Sequence, residues 1–191
     1  MNSISRMTVL LMLIALNSGI TKASASEGFF QNIKDLSWEE GRVRIEGQGW
    51  GGIRSGRKSR SDDWSVVGTV EKEFALSQRL TVGARAIPLF FYDEYVTGNE
   101  IWAAGGGIAL RWYTQEAMDG WFVEGYESLI GQSDTFHGNH GSLNFMSEVG
   151  VGYEFDNNWH ITAKGRHLSN AGLASRNSGV NNIGIAVGFS F

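Results

Sequence analysis

The chain has 191 residues, a net charge of −4, 26 glycines, 7 tryptophans, a single proline and no cysteine. The lack of cysteine excludes a disulfide framework, a lipid-anchored cysteine and a cysteine-based metal site, and the mild acidity excludes the basic footprint of a nucleic-acid binder. Abundant glycine and aromatics with so little proline suit closely packed strands flanked by interfacial aromatics rather than a helical bundle, and the length fits one domain.

Residues 1–25 read as a cleaved secretory signal. Arg6 gives a basic start, residues 7–16 form an apolar run too short to span a bilayer, and Ala23-Ser24-Ala25 is a small-residue cleavage site. The mature chain is then 26–191, and removal of Arg6 and Lys22 leaves it more acidic. No later segment has the ~20 apolar residues of a membrane helix. Residues 28–40 show no strong alternation and read as a short lead-in.

Eight strands follow, predicted over residues 42–53, 64–76, 79–89, 100–113, 120–130, 142–155, 159–169 and 181–191. The first carries the glycine-rich run Gly47 to Gly52. The second places Trp64, Val66, Val70, Phe74 and Leu76 on one face, and the fifth does so with Trp121, Val123 and Leu129. The sixth alternates most cleanly, with Leu143, Phe145, Val149, Val151, Tyr153 and Phe155 opposing Asn144, Glu148, Gly152 and Glu154. In the eighth, Ile183, Ile185, Val187, Phe189 and Phe191 alternate with small or polar residues. Period-two alternation broken by turn residues is the signature of a transmembrane barrel.

The connections sort into short turns at 77–78, 114–119 and 156–158 and longer loops at 54–63, 90–99, 131–141 and 168–180. Short periplasmic turns and long external loops are the asymmetry of an outer-membrane barrel, and an even strand number puts both termini on the periplasmic side. The fold expected is all-β, an eight-stranded antiparallel transmembrane β-barrel in the outer membrane of a Gram-negative bacterium. The competing architecture is a soluble lipocalin-type barrel, which turns its apolar side chains inward. The export signal, the aromatic C-terminus and the small inward residues of the eighth strand favour the membrane.

Parity then singles out a chemical patch. On the seventh strand His160, Thr162, Lys164 and Arg166 share the inward parity, while His167 and Ser169 continue the lipid-facing parity of Trp159, Ile161, Ala163 and Gly165. Asn181 shares the lipid-facing parity of the eighth strand, which starts at the same end. Polar groups on a lipid face are costly unless they serve a function or sit at headgroup level. A histidine beside a serine can take its hydroxyl proton while a third group fixes the tautomer, and Asn170, Asn177 and the amides of Ala171 and Gly172 are donors for an oxyanion. A substrate reachable from this wall is an acyl ester of a lipid in the outer leaflet. The plainer reading is an interfacial histidine with a serine capping a turn.

The run His167-Leu168-Ser169-Asn170-Ala171-Gly172 with Asn177, Gly179 and Asn181 resembles the C-terminal signature of the lipid A 3-O-deacylase (PagL) family. So do Trp50-Gly51-Gly52-Ile53-Arg54-Ser55-Gly56, Gly120-Trp121-Phe122-Val123-Glu124-Gly125 and Gly150-Val151-Gly152-Tyr153-Glu154-Phe155. The resemblance covers essentially the whole mature chain. It implies hydrolysis of the ester-linked 3-hydroxyacyl chain at position 3 of lipid A, the lipid anchor of lipopolysaccharide, with no metal or other cofactor. By this resemblance Ser169 is the nucleophile, His167 the general base and Asn177 the oxyanion donor, with Asn170 helping to organise the site. The chain departs from the family pattern at Asn181, where a glutamate orients the histidine. An asparagine can accept the imidazole N–H but supplies no charge. Residues 168–180 hold no Asp or Glu, which leaves an external-loop acid such as Asp134 as the substitute.

Lipid A and the surrounding outer-membrane lipids are the partners this implies, and a homodimer that hides the site is compatible with it. Two competing functions are a non-catalytic structural or adhesion-type barrel and an acyltransferase using the same lipid. The outward parity of His167 and Ser169 argues against the latter. His137 and His140, with Asp134 nearby, are a candidate metal grouping in the loop after the fifth strand, but exposed loop histidines are usually solvated. Glu71, Glu73, Arg85, Glu148 and Glu154 fit a buried ion-pair network inside a narrow barrel. Gly105-Gly106-Gly107 lacks the lysine and helix of a phosphate loop and reads as close strand packing. Trp64, Trp102, Trp112, Trp121 and Trp159 read as interface anchors.

Overall fold

The computed structural model describes residues 37, 40–54, 60–116 and 118–191. The expected signal segment and its cleavage site lie outside the described residues. Eight strands occupy the rest: β1 (Arg42–Gly52), β2 (Trp64–Ala75), β3 (Leu80–Glu94), β4 (Asn99–Tyr113), β5 (Gly120–Gln132), β6 (Leu143–Glu154), β7 (Trp159–Ser169) and β8 (Val180–Ser190). They pair in chain order, and β1 pairs with β8 from Arg44↔Ser190 to Gly52↔Asn182, closing the barrel. Closure leaves no sheet edge, which is what allows strands to cross a bilayer.

The alternation sets what faces where. Val66, Val70, Ile108, Val123, Val151, Ile161, Ile183 and Ile185 are exposed on the outside. Two aromatic clusters bracket this band. Trp64, Phe91 and Trp102 meet at centroid distances of 5.3 and 4.8 Å near the loop end. Trp121–Tyr153 and Trp159–Phe189 contacts of 5.4 and 5.5 Å lie near the terminal end. Trp112 is half-buried.

Inside, the terminal half of the barrel is charged. Arg111 binds Glu71 at 3.1 Å, Glu124 at 2.9 Å, and Glu73. Lys164 bridges Glu46 and Glu124 at 2.7 and 2.9 Å, Arg44 meets Glu154 at 2.6 Å, and Arg85 meets Glu148. The loop half is built around an apolar cluster of Trp50, Phe90, Tyr92, Ile101, Ile130, Phe136, Met146, Leu168 and Val180, with Arg166 buried over the Trp50 and Phe90 rings and Arg60 paired with Asp63 and Glu94. The glycines of β4 are explained by backbone approach, because a Cβ on Gly105 or Gly107 would stand 2.1 Å from the carbonyl oxygens of Leu129 or Glu127 on β5.

One predicted boundary is wrong in an instructive way. The third strand does not stop at residue 89 but runs to Glu94, so the long loop expected at 90–99 is a tight turn at residues 95–98 closed by Gly98 at a φ of 68°. The register with β4 shifts between Ile87 and Phe90. Before this bulge the exposed positions are even-numbered, Ala84 and Ala86; after it the odd-numbered Leu89, Phe91 and Asp93 are outside and Phe90 and Tyr92 inside. Pro88 lacks an N–H and sits where a bulge tolerates that loss. The other ends fall within two residues of the predicted ones, and those of β7 coincide.

Arg111 is the hub of the interior. Replacing it by leucine leaves Glu71, Glu73 and Glu124 without their shared cation, and breaking a buried pair this way costs about 3–5 kcal/mol. Arg111→Leu should therefore unfold at clearly lower urea concentration in detergent micelles, read by loss of the compact gel mobility of the unheated barrel. An unchanged midpoint would show that the remaining network absorbs the loss.

Candidate active site

Two inward residues orient the site. Leu168 and Val180 are fully buried in the apolar cluster. Neighbours along a strand point to opposite faces, so locking Leu168 inward turns His167 and Ser169 outward, and locking Val180 inward turns Asn181 outward. The β7–β8 register sets His167 directly opposite Asn181. His167 Nδ1 lies 2.5 Å from Asn181 Oδ1. An amide oxygen only accepts, so Nδ1 donates its hydrogen to it and Nε2 is the basic nitrogen of the ring.

His167 is only 4% exposed although it sits on the outer face. Gly179 packs against it: a Cβ at that position would stand 2.8 Å from His167 Cε1, and the φ of +63° is left-handed. Only glycine meets both demands without strain.

Ser169 is half-buried at the end of β7. Its Oγ receives the Nδ2 donor of Asn177 at 2.8 Å and the backbone N–H of Ala171 at 3.1 Å. Ala171 takes a φ of 54°, unusual for a residue with a side chain, and this turns its N–H back onto the hydroxyl. Asn170 is fully buried beneath. Its Nδ2 donates to the carbonyls of His140 and Arg176 at 2.5 and 2.8 Å, and its Oδ1 accepts the Gly172 N–H at 2.9 Å. The Gly172 amide thus serves the loop, and the Ala171 amide points at the hydroxyl.

Asn177 is held from the neighbouring loop. Asn139 bridges to it, the Ser178 N–H donates to the Gly138 carbonyl at 2.9 Å, and the His140 N–H donates to the Arg176 carbonyl at 2.9 Å. A run of buried amides anchors that loop: Asn139 Nδ2 donates to Asn144 Oδ1 at 2.8 Å, Asn144 Nδ2 to Gln132 Oε1 at 2.9 Å, and Gln132 Nε2 to the Gly141 carbonyl at 3.0 Å. His140 Nδ1 is 3.3 Å from Ser175 Oγ, and Asp134 Oδ1 accepts the Thr135 N–H at 2.6 Å, a local turn contact.

The structure thus gathers His167, Ser169, Asn177 and Asn181 on one outer patch, with Asn170 below it. Two contributors were not predicted, Asn139 and Glu127. Asn139 acts between loops, where no periodicity announces it. Gly179 stands in the sequence signature, but its packing against His167 is a finding of the structure. Glu127 on β5 shares the outward parity of Trp121, Val123 and Leu129, and that parity violation is its signal. In the register Glu127 faces Ser147 of β6, which faces His167. Ser147 Oγ donates to Glu127 Oε1 at 2.9 Å.

Beside the site the wall is smooth. Gly47, Gly49 and Gly51 of β1 have open space where side chains would stand. A groove of about 790 Å³ is lined there by Gly49, Gly51, Ala163, Ile183 and Ile185, among others. Gly51 pairs with Ile183, two residues along β8 from Asn181.

A family model described as lipid A 3-O-deacylase (PagL) matches residues 57–190. The fold is similar to the crystal structure of the outer membrane enzyme PagL, with a TM-score of 0.61 at 18% identity over 76% of this chain and 98% of that one. It is also similar to the crystal structure of Neisserial surface protein A, with a TM-score of 0.50 at 13% identity over 80% of this chain and 97% of that one. No curated protein sequence matches the chain. At such identities the structural likeness establishes the barrel, and the family match assigns the chain: it belongs to the lipid A 3-O-deacylase (PagL) family, hydrolases of the outer membrane.

Proposed function

We propose that this chain is a serine esterase that removes the ester-linked 3-hydroxyacyl chain at position 3 of lipid A, with Ser169 as nucleophile, His167 as general base and Asn181 as the group that orients the base. The observation that carries the reading is the 2.5 Å contact between His167 Nδ1 and Asn181 Oδ1, two residues along the same strand face from a serine hydroxyl that receives two N–H donors. A histidine whose Nδ1 is held keeps Nε2 as the proton acceptor.

The reaction follows from these groups. Ser169 Oγ attacks the ester carbonyl carbon, and its proton passes to His167 Nε2. The carbonyl oxygen becomes an oxyanion that takes hydrogen bonds from Asn177 Nδ2 and the Ala171 N–H, the donors now directed at Oγ. Collapse breaks the bond to the sugar oxygen, which leaves with the proton from His167 as a free 3-hydroxyl. The acyl group stays on Ser169 until a water molecule, deprotonated by His167, attacks the new ester and releases the hydroxy fatty acid. Asn170 supports this indirectly by tying the 170–177 turn to the carbonyls of His140 and Arg176. The apolar groove by Ile183 and Ile185 gives an acyl chain a place to lie along the barrel wall while its ester reaches Ser169.

Expression in a Gram-negative host whose lipid A is 3-O-acylated should yield lipid A lacking one 3-hydroxyacyl group by mass spectrometry. Ser169→Ala should abolish that loss, since removal of the nucleophile of a serine hydrolase typically costs on the order of 10⁶ in kcat. An unmodified mass spectrum with a folded wild-type barrel would favour the non-catalytic structural reading.

Gly179→Ala should lower deacylation by about ten- to a hundredfold. The new methyl meets the imidazole, and a small misplacement of a base costs about 10². The barrel should keep its gel mobility, because the strain of an alanine in the left-handed region is only about 1–2 kcal/mol. Full activity in this variant would show that the ring tolerates displacement.

A further inference from the structure

We propose that Glu127, reaching across Ser147, is the negative charge that supports the His167 imidazolium in this chain. The inference rests on the esterase reading above and makes Glu127 a positioning residue. It answers a specific deficit: Asn181 can orient the ring, but it carries no charge to stabilise the cation that forms when Ser169 gives up its proton.

Four observations carry the proposal. Glu127, Ser147, His167 and Asn181 form one row across β5, β6, β7 and β8, each directly opposite the next in the register. With adjacent strands about 4.8 Å apart, the Glu127 and His167 backbones are about 10 Å apart, and their side chains project from the same face. The carboxylate is held toward the gap, because Ser147 Oγ donates to Oε1 at 2.9 Å and Ser147 itself is buried. Glu127 also stands out on the wall. Among the described residues, the other carboxylates on outward strand positions are Asp93 and Glu100, both near the loop ends of their strands. A half-buried carboxylate placed mid-wall is costly unless a cation answers it, and the imidazole that can become that cation, His167, stands two strands away in the same row.

Among the described strand residues, the outward neighbours of His167 are uncharged on its own strand (Gly165 and Ser169), on β6 (Phe145, Ser147 and Val149) and on β8 (Asn181 and Ile183). Glu127 is flanked on β4 by Ile108 and along β5 by Gly125 and Leu129. Arg166 and Lys164 turn inward and are buried. Among the described residues, the covering loops contribute Arg54, His140 and Arg176; His140 lies near Ser175, and Arg54 and Arg176 are exposed. Opposite charges on a low-dielectric wall act over a longer range than in water.

Glu127→Gln is the discriminating variant, because a glutamine Oε1 still accepts the Ser147 hydroxyl while the charge is gone. With purified full-length mature chain in detergent micelles and 3-O-acylated lipid A, Glu127→Gln should lower kcat about tenfold at unchanged KM. The acidic limb of its rate profile should move about one pH unit lower, the equivalent of that tenfold change. Glu127→Asp should retain most of the rate, and Glu127→Gln combined with Asn181→Glu should recover it. A wild-type rate and acidic limb in Glu127→Gln would overturn the proposal, as would an equal loss in Glu127→Asp. The His167 ring resonance, followed by NMR against pH in the same micelles, separates this proposal from the esterase reading. If the wild type leaves lipid A untouched but the ring titrates at lower pH in Glu127→Gln, the charge pairing stands and the esterase reading falls. A ring titration unmoved by the substitution would overturn the pairing.

Discussion

A strand that crosses a bilayer must satisfy all its backbone polar groups within the sheet and must show alternate side chains to lipid. The closed pairing of β1 with β8 meets the first demand, and alternation along the strands, reset at the β3 bulge, meets the second. Every other feature follows from that division into two faces. The inward positions of the terminal half carry charge, so Arg111, Lys164 and Arg44 share Glu46, Glu71, Glu73, Glu124 and Glu154 among them. The outward positions are apolar, which makes each outward polar side chain a departure that needs a reason. His167, Ser169 and Asn181 depart together at one place, and so do Ser147 and Glu127 in the same row of the register.

The barrel and its loops contribute to the site differently. His167 and the amide of Asn181 lie on strands, held by ladder hydrogen bonds and by Leu168 and Val180 in the apolar plug. The donors to the serine hydroxyl come from a turn, where no ladder holds them. The structure compensates with buried amides: Asn170 beneath the turn and the Gln132–Asn144–Asn139 series under the adjoining loop. Each buried amide is costly if unpaired, so the loops have few alternative arrangements that satisfy them all. This is how a lipid-exposed turn holds two N–H groups on one oxygen without the support of a surrounding protein core.

The legible part of this design is the part with a period. β7 runs over the residues that alternation marks, 159–169, and the outward parity of His167, Ser169 and Asn181 follows from counting by twos. The count fails at Pro88, where a bulge switches the outward set from even to odd numbers and makes a continuous strand look finished. Glu127 was legible by the same count, but it stands among Trp121, Val123 and Leu129 and reads as an apolar strand unless the exception is sought. The pairing of Asn139 with Asn177 was not legible at all. It joins two irregular loops 38 residues apart, and no local pattern encodes which loops of a barrel touch.

Asn181 places an amide, not a carboxylate, against the His167 ring, and the membrane wall bears on that choice. A carboxylate hydrogen-bonded directly to the imidazole would both orient it and neutralise its charge, but between turnovers, with the ring neutral, it would leave an unanswered anion facing lipid. An amide orients the ring as firmly and carries no such penalty. Charge acts at a distance and orientation does not, so the two tasks can be separated: the amide must touch Nδ1, whereas an anion needs only to share the low-dielectric wall with the ring. In the proposed arrangement Asn181 holds the ring from β8 and Glu127 supplies the field from β5, with Ser147 fixing the carboxylate between them. The cost of a mid-wall anion is then shifted to a position where a hydroxyl donor already satisfies part of it, and the ring is left to exchange its proton with the serine alone.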